Sequence, residues 1–387
     1  MLKLDDRIAE GVAERKAVSR AFFPAQAPTL AHACRLMAER FLRGGRLLAF
    51  GRGPYATDAQ HVSVEFQHPV LVGKRALPAL DLSAAFRDWI PAITCENDMV
   101  VGFAPPSGDP DVTQTLADAR RRGAMTFAMP GEDADYGFAA PSDDEHVNQE
   151  MVEILCHTLY ENVHVFFEHR ERGHDDVGAS SFLYPYLGSA QQSLDALERD
   201  VAASIVDKAS DAERLRDELV LNASQQIAEV THVIGQRLDA GGRLLLFGNG
   251  GSATDANDWA LDCILPSVDA PVIPAISFSQ EPATITAIAN DVGTDVVFQR
   301  QLIAHARPND VAIALSTSGG SRNIIAALEE ARKRGLTTVA LLGYDGGEIA
   351  RRGLVDSAIV VHCDYIPRIQ EAQATVYHLI TDGLRHR

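Results

Sequence analysis

His61 and Glu65 stand four residues apart in ATDAQHVSVEF, a stretch that begins at Ala56. On a helix this spacing stacks the imidazole and the carboxylate one turn apart on one face, where both can reach a single metal ion. The stretch has a relative, ATDANDWALDC, 197 residues on at Ala253, with Asp258 in place of His61 and Asp262 in place of Glu65. Two carboxylates can hold a hard cation but lack the imidazole that suits zinc, nickel or copper. A solvated charge pair is their plainer use. STSGGS, Ser316 to Ser321, sets four hydroxyls beside two glycines, and the first turn of a following helix would add free N–H groups that favour a phosphate. Ser/Gly clusters also form ordinary turns. GNGGSATDA at Gly248 is a second glycine turn, but it has neither the GxGxxG spacing of a dinucleotide site nor a Walker lysine. Together the two turns describe a pocket for a small phosphorylated molecule.

The elements that must position these residues are written twice. GGRLLAFGRG at Gly44 matches GGRLLLFGNG at Gly241, again 197 residues apart. NDMVVGFAPPSGDPDV at Asn97 matches NDVAIALSTSGGSRNI at Asn309, an offset of 212, and NQEMVEILCH matches IQEAQATVYH with His157 and His378 offset by 221. Each half reads as a helical lead-in, a strand (LLAF, LLLF), a glycine turn, a helix, and a strand (VVGF, AIAL). A turn, a helix, a strand (TFAM, TVALL) and a last helix complete it. Strands alternating with helices predict a parallel sheet covered on both faces, with ligands bound beyond the carboxyl ends of the strands. The expected fold class is therefore α/β: a tandem duplication of two three-layer α/β/α domains, 1–188 and 189–387. The stretch from Phe166 to Gly188 is the expected linker.

A formal net charge of −18 argues against nucleic-acid and anionic-membrane partners, both of which want a basic face. An anionic ligand must then be held locally, by N–H groups and hydroxyls. The opening residues are charged and helical in pattern and lack an apolar signal-peptide core. Five cysteines without a CxxC pair read as reduced thiols. The expected compartment is the cytoplasm.

The second half resembles the sugar isomerase (SIS) family, in its phosphoheptose isomerase branch. GNGGSATDA, AIANDVGTD, RPNDVAIALSTSGGS, GYDGG and RIQEAQATVYH carry the resemblance, and the first half is similar more distantly. The resemblance implies a sugar-phosphate aldose/ketose isomerase. Its phosphate loop would be Ser316, Thr317, Ser318 and Ser321, with Asn249, Ser252 and Asp291 on the substrate side; Asn249 and Ser252 have helix capping as their plainer role. It also implies a divalent metal, zinc, held by residues drawn from His61, Glu65, Gln149, His157, Gln370 and His378. Glu65 with His157 or His378 would be the acid/base pair.

The intact motifs fall in different halves. In the first half the phosphate-loop positions are Ala104, Pro105, Pro106 and Asp109; the prolines have no N–H to offer, and Asp109 puts a carboxylate where a phosphate should lie. In the second half the metal motif is altered to Asp258 and Asp262. The expectation is one working composite site, with the halves complementing each other, and one degenerate site. Arg52, in GRGPYA, is either an extra phosphate ligand or the filling of a dead pocket. Gln149 and His157 lie eight residues apart, about 12 Å of helical rise and roughly 80° of rotation, so they do not easily serve one ion from one helix. Two SIS copies per chain imply a homodimer in place of the family's tetramer. The alternative is a non-catalytic SIS regulator that binds a sugar phosphate or a protein.

Overall fold

A computed structural model describes residues 4–69, 74–171, 193–266 and 270–387. By internal contacts the chain forms two units, Arg15–Glu213 and Met1–Glu14 with Arg214–Arg387. The boundary expected at Gly188 lies outside the described residues. The stretch expected to be a linker is still helical at its start, where Phe166 and Phe167 are buried.

The first unit runs α1 (Leu4–Leu42, shared with the second), β1 (Leu47–Phe50), α2 (Tyr55–Gln67), β2 (Ala79–Asp81), α3 (Phe86–Ile93), β3 (Met99–Phe103), α4 (Pro110–Arg121), β4 (Met125–Met129), β5 (Tyr136–Gly137) and α5 (Glu145–Glu171). The second runs α6 (Leu194–Asp239, again shared), β6 (Leu244–Phe247), α7 (Gly251–Ile264), β7 (Ala275–Ser277), α8 (Pro282–Asp291), α9 (Val297–His305), β8 (Val311–Ser316), α10 (Arg322–Lys333), β9 (Thr337–Gly343), α11 (Gly347–Arg351), β10 (Ser357–Val361) and α12 (Ile366–Arg385). The six strand segments read from sequence are all present.

The two sheets have the same order, β2-β1-β3-β4-β5 and β7-β6-β8-β9-β10, and every pairing is parallel. This is the flavodoxin-like order, whose strand direction of travel reverses between the first and third strands of each unit. The central strands are buried along their whole length, as sheets covered on both faces require. Leu47, Ala49, Met99 and Val101 pack in one layer, and Leu48, Phe50 and Val100 in the other. Leu244, Leu246 and Val311 divide from Leu245, Phe247 and Ala312 in the same way.

One polar device recurs in both sheets. The Arg46 backbone N–H and Nε donate to Asp98 Oδ1 at 2.9 and 3.1 Å, and its Nη2 donates to Oδ2 at 2.7 Å. Arg243 grips Asp310 with the same three bonds, at 2.9, 3.2 and 2.7 Å. Each fork pins the start of the first strand to the start of the third, which sets the register at the opposite end of the sheet from the glycine turns. No helix among the described residues is long and apolar enough to cross a membrane.

Candidate active site

In the second unit the glycine turn after β6 and the serine loop after β8 flank the point where the strand order reverses. Gly250 holds φ +58° at the N-cap of α7, a left-handed conformation that glycine adopts without steric cost. Asn249, beside it, exchanges two amide hydrogen bonds with Asn323 in the first turn of α10, at 3.0 and 2.8 Å. Ser252 is buried in the first turn of α7.

The serine loop is internally braced. Ser316 Oγ accepts from the Gly319 N–H at 3.1 Å, and Ser318 Oγ accepts from the Gly320 N–H at 3.3 Å. Gly319 sits at φ +58°, and a Cβ there would lie 2.2 Å from the Gly346 carbonyl oxygen. Gly343 donates to the Thr317 carbonyl and Ile349 to that of Gly319, both at 3.0 Å, so the GYDGG segment clamps the loop from behind. Ser321 is the N-cap of α10 but makes no side-chain capping bond. Its hydroxyl and the N–H groups of Arg322 and Asn323 therefore remain for an anion, while the Ile324 N–H donates to Asn323 Oδ1 at 3.0 Å. A cleft of about 740 Å³ opens beside the loop, lined by Ser318, Gly320, Tyr344 and Gly347 among others. Asp291 lies at the exposed end of α8 and accepts from the Asn290 amide at 2.8 Å.

The equivalent turns of the first unit meet differently. Asp111, which occupies the position of Asn323, receives the guanidinium of Arg52, which occupies that of Asn249. Arg52 also lies 3.5 Å from Asp109 and 5.7 Å from the centre of the Phe86 ring. Asp109 caps α4, its Oδ1 accepting from the N–H groups of Asp111 at 2.8 Å and Val112 at 3.2 Å. The helix terminus that would bind a phosphate is thus already satisfied by a carboxylate. Beside Arg52 the Asp111 carboxyl is held below its usual pKa.

Where the phosphate loop fails, the other motif is assembled. His61 on α2 and His157 on α5 point their Nε2 atoms at each other across 3.0 Å, with ring centres 4.9 Å apart. Glu153, one turn before His157, joins them: one donor atom from each of the three lies within 4.8 Å of the others, and all three residues are buried. Phe66 against Tyr160, edge to face at 5.8 Å, holds the two helices together one turn further along. Two ring nitrogens about 2.0–2.1 Å from one zinc stand about 3.3 Å apart at the tetrahedral angle, so the pair fits a cation; without one, it fits a single N–H···N hydrogen bond. Glu65 is buried one turn past His61 but is not one of the three residues of this cluster, and Gln149 is buried one turn before Glu153 on α5.

Sequence reasoning missed Glu153. The signal was there in EILCH, a carboxylate and an imidazole four apart, the mirror of the spacing that singled out His61 and Glu65. In the second unit the position of Glu153 is Ala374. There His378 Nε2 lies 3.2 Å from Asp262 Oδ2 and 3.7 Å from Asp258 Oδ2, and Tyr377 donates to Asp258 Oδ2 at 2.6 Å. Gln370 is buried two turns before His378 on α12.

Comparison with known proteins agrees with this picture. Residues 209–343 match the SIS domain model. A phosphoheptose isomerase of Chlorobium phaeobacteroides is 42% identical over 173 residues, 44% of this chain and 76% of that protein. One from Geobacter sulfurreducens is 40% identical over 215 residues, 55% of this chain and 97% of that protein. Among solved structures, the C-terminal domain of glucosamine-fructose-6-phosphate aminotransferase from Francisella tularensis shares the fold, with a TM-score of 0.57 at 10% identity over 98% of this chain and 95% of that one. Tagatose-6-phosphate ketose/aldose isomerase from Escherichia coli does so with a TM-score of 0.56 at 14% identity, over 98% and 92%. With two flavodoxin-like sheets, a serine loop at the reversal point of one of them and these relatives, the chain belongs to the phosphoheptose isomerase family of SIS-domain proteins.

Proposed function

We propose that this protein is an aldose/ketose isomerase of phosphorylated sugars, most like a sedoheptulose 7-phosphate isomerase, in which the two halves supply different parts of the chemistry. The observation that carries the division is the double contrast between equivalent positions: Ser321 leaves its helix terminus open where Asp109 closes it, and His61 meets His157 where Asp258 and His378 stand instead.

Ser316, Thr317, Ser318 and Ser321 bind the phosphate, with the braced loop fixing their direction before substrate arrives. Asn249 and Ser252 line the sugar side. Glu65, buried one turn from His61, takes the proton from C1 or C2 of the substrate and returns it to the other carbon; His157 or His378 moves the oxygen-bound proton. His61 and His157 would hold a divalent cation, which zinc's preference for imidazole favours. Such an ion polarises a carbonyl and steadies the charge that grows on its oxygen. We further propose a cytoplasmic homodimer, which light scattering would check.

The test is Glu65→Gln assayed beside titration calorimetry with a phosphorylated ketose. Turnover should fall by about 10²–10⁴-fold, the range of general acid–base contributions, while sugar-phosphate affinity stays within about threefold. Full turnover in the variant would refute the role of Glu65. A wild-type protein that binds sugar phosphates but turns over none of the C5 to C7 ketose phosphates would establish a regulator instead.

A further inference from the structure

We propose that Glu153 is the third protein ligand of a divalent cation held by His61 and His157, and that this frees Glu65 to act only as a base. The inference rests on the isomerase reading for the role of Glu65, but not for the cation site itself.

Three observations carry it. First, α5 presents Glu153 and His157 one turn apart on the face that meets His61, with one donor atom of each residue within 4.8 Å of the others. Glu153 is the carboxylate of α5 that reaches this cluster. Second, the donor set is two imidazoles and one carboxylate, all at least nine-tenths buried. A three-ligand set with a position left over is the pattern of catalytic zinc sites and of other borderline divalent ions. Third, the chain contains its own control. The second half keeps the histidine at 378 but has Asp258 for His61, Asp262 for Glu65 and Ala374 for Glu153. Of the two carboxylates, Glu65 keeps its acidic character there as Asp262, whereas the position of Glu153 has no donor at all.

The consequence for the chemistry is a separation of duties. A carboxylate bound to a cation is a poor base, because the ion's charge stabilises its deprotonated form and lowers its proton affinity. With Glu153 on the ion, the ligand role falls to Glu153 and the proton-transfer role to Glu65.

The experiment uses the full chain, stripped with a chelator and reloaded with Zn²⁺ or Co²⁺. Stoichiometry is read by elemental analysis, affinity by competition with a chromophoric chelator, and ligand geometry by the Co²⁺ d–d absorption band. Wild type should take one equivalent tightly. Glu153→Gln should weaken binding by more than the roughly 10–100-fold that losing a ligand's supporting contact costs, and shift the Co²⁺ band; Glu153→Asp should recover part of the affinity. Glu65→Gln should bind within threefold of wild type with an unchanged band. An unchanged Glu153→Gln, or a Glu65→Gln that loses the ion, would overturn the assignment, as would wild type that takes up no ion at His61. Should Glu153→Gln fail to fold, anomalous scattering from Co²⁺-loaded wild-type crystals decides: the ion either touches a Glu153 carboxylate oxygen or it does not. Turnover by a protein that takes up no ion, or whose ion does not touch Glu153, would sink this inference and leave the isomerase reading standing. A loaded protein inert toward every ketose phosphate would do the reverse.

Discussion

Arg52 reaches across the first sheet's reversal point to Asp111, and the residues at the equivalent positions of the second sheet, Asn249 and Asn323, exchange paired amide hydrogen bonds at 3.0 and 2.8 Å. The contact is common to both units, but it is neutral and amide-lined in the second and charged in the first. A neutral bridge beside the serine loop leaves the neighbouring N–H dipoles for a ligand. A guanidinium already paired with Asp111 and lying near Asp109 has little left to offer one.

Arg52→Ala should therefore leave KM for a phosphorylated ketose within about twofold, since its partners are in the protein. If KM rose tenfold or more, the guanidinium would be a substrate ligand after all.

Removing a hydroxyl from the intact loop should act on binding. Ser321→Ala and Ser318→Ala should each raise KM by roughly 10-fold or more, because a hydrogen bond to a charged group contributes about 1.5–3 kcal/mol. Inhibition constants for inorganic phosphate should rise in parallel, with kcat less affected. Variants with normal phosphate inhibition would remove this loop from the site.

How much of this was legible in the sequence follows from what each feature depends on. The paired strands and the serine loop were readable because they depend on local pattern: continuous apolar runs such as LLAF and VAIAL, and hydroxyls grouped with glycine. The outer strands β2, β5, β7 and β10 were not. They are two to five residues long, all four include half-exposed positions, and all depend on a neighbouring strand for their identity. Glu153 escaped for a related reason: EILCH sits in a helix buried on nearly every side, so no amphipathic stripe set its functional face apart. The pairing of Arg52 with Asp111 joins residues 59 apart, and spacing alone carries no trace of such a contact.

The fork between Arg46 and Asp98 makes a pH-dependent prediction. Burial pushes the Asp98 carboxyl up, but the Arg46 guanidinium and the backbone N–H groups of Cys95 and Arg46 outweigh it and hold the pKa below the ordinary carboxylate value. A lowered folded-state pKa contributes stability that is present above the unfolded value, about 3.9, and lost as pH falls through the folded value. Asp98→Asn should cost about 2 kcal/mol at pH 7, and the deficit should shrink below about pH 4. Urea midpoints at the two pH values would show it; a deficit that did not change with pH would mean that packing, not charge, holds this corner.

His164 titrates in the opposite direction from a surface-paired histidine. Burial holds its pKa below 6.5, against the pull of the Tyr160 and Arg75 carbonyls, which lie 3.0 and 3.2 Å from its ring nitrogens. The neutral ring favours the fold above the unfolded pKa, and that advantage is lost as pH drops from about 6.5 toward the folded value. Thermal midpoints should decline between pH 7 and pH 5, and His164→Gln should decline less steeply. Parallel slopes for the two proteins would assign the acid sensitivity elsewhere.

The capped terminus of α4 bears on how such a chain can change over time. A phosphate site there would require changing Pro105, Pro106, Asp109 and the Arg52 to Asp111 pair together. Several changes would be needed together before this helix terminus could receive an anion, so its closure is robust to any one substitution.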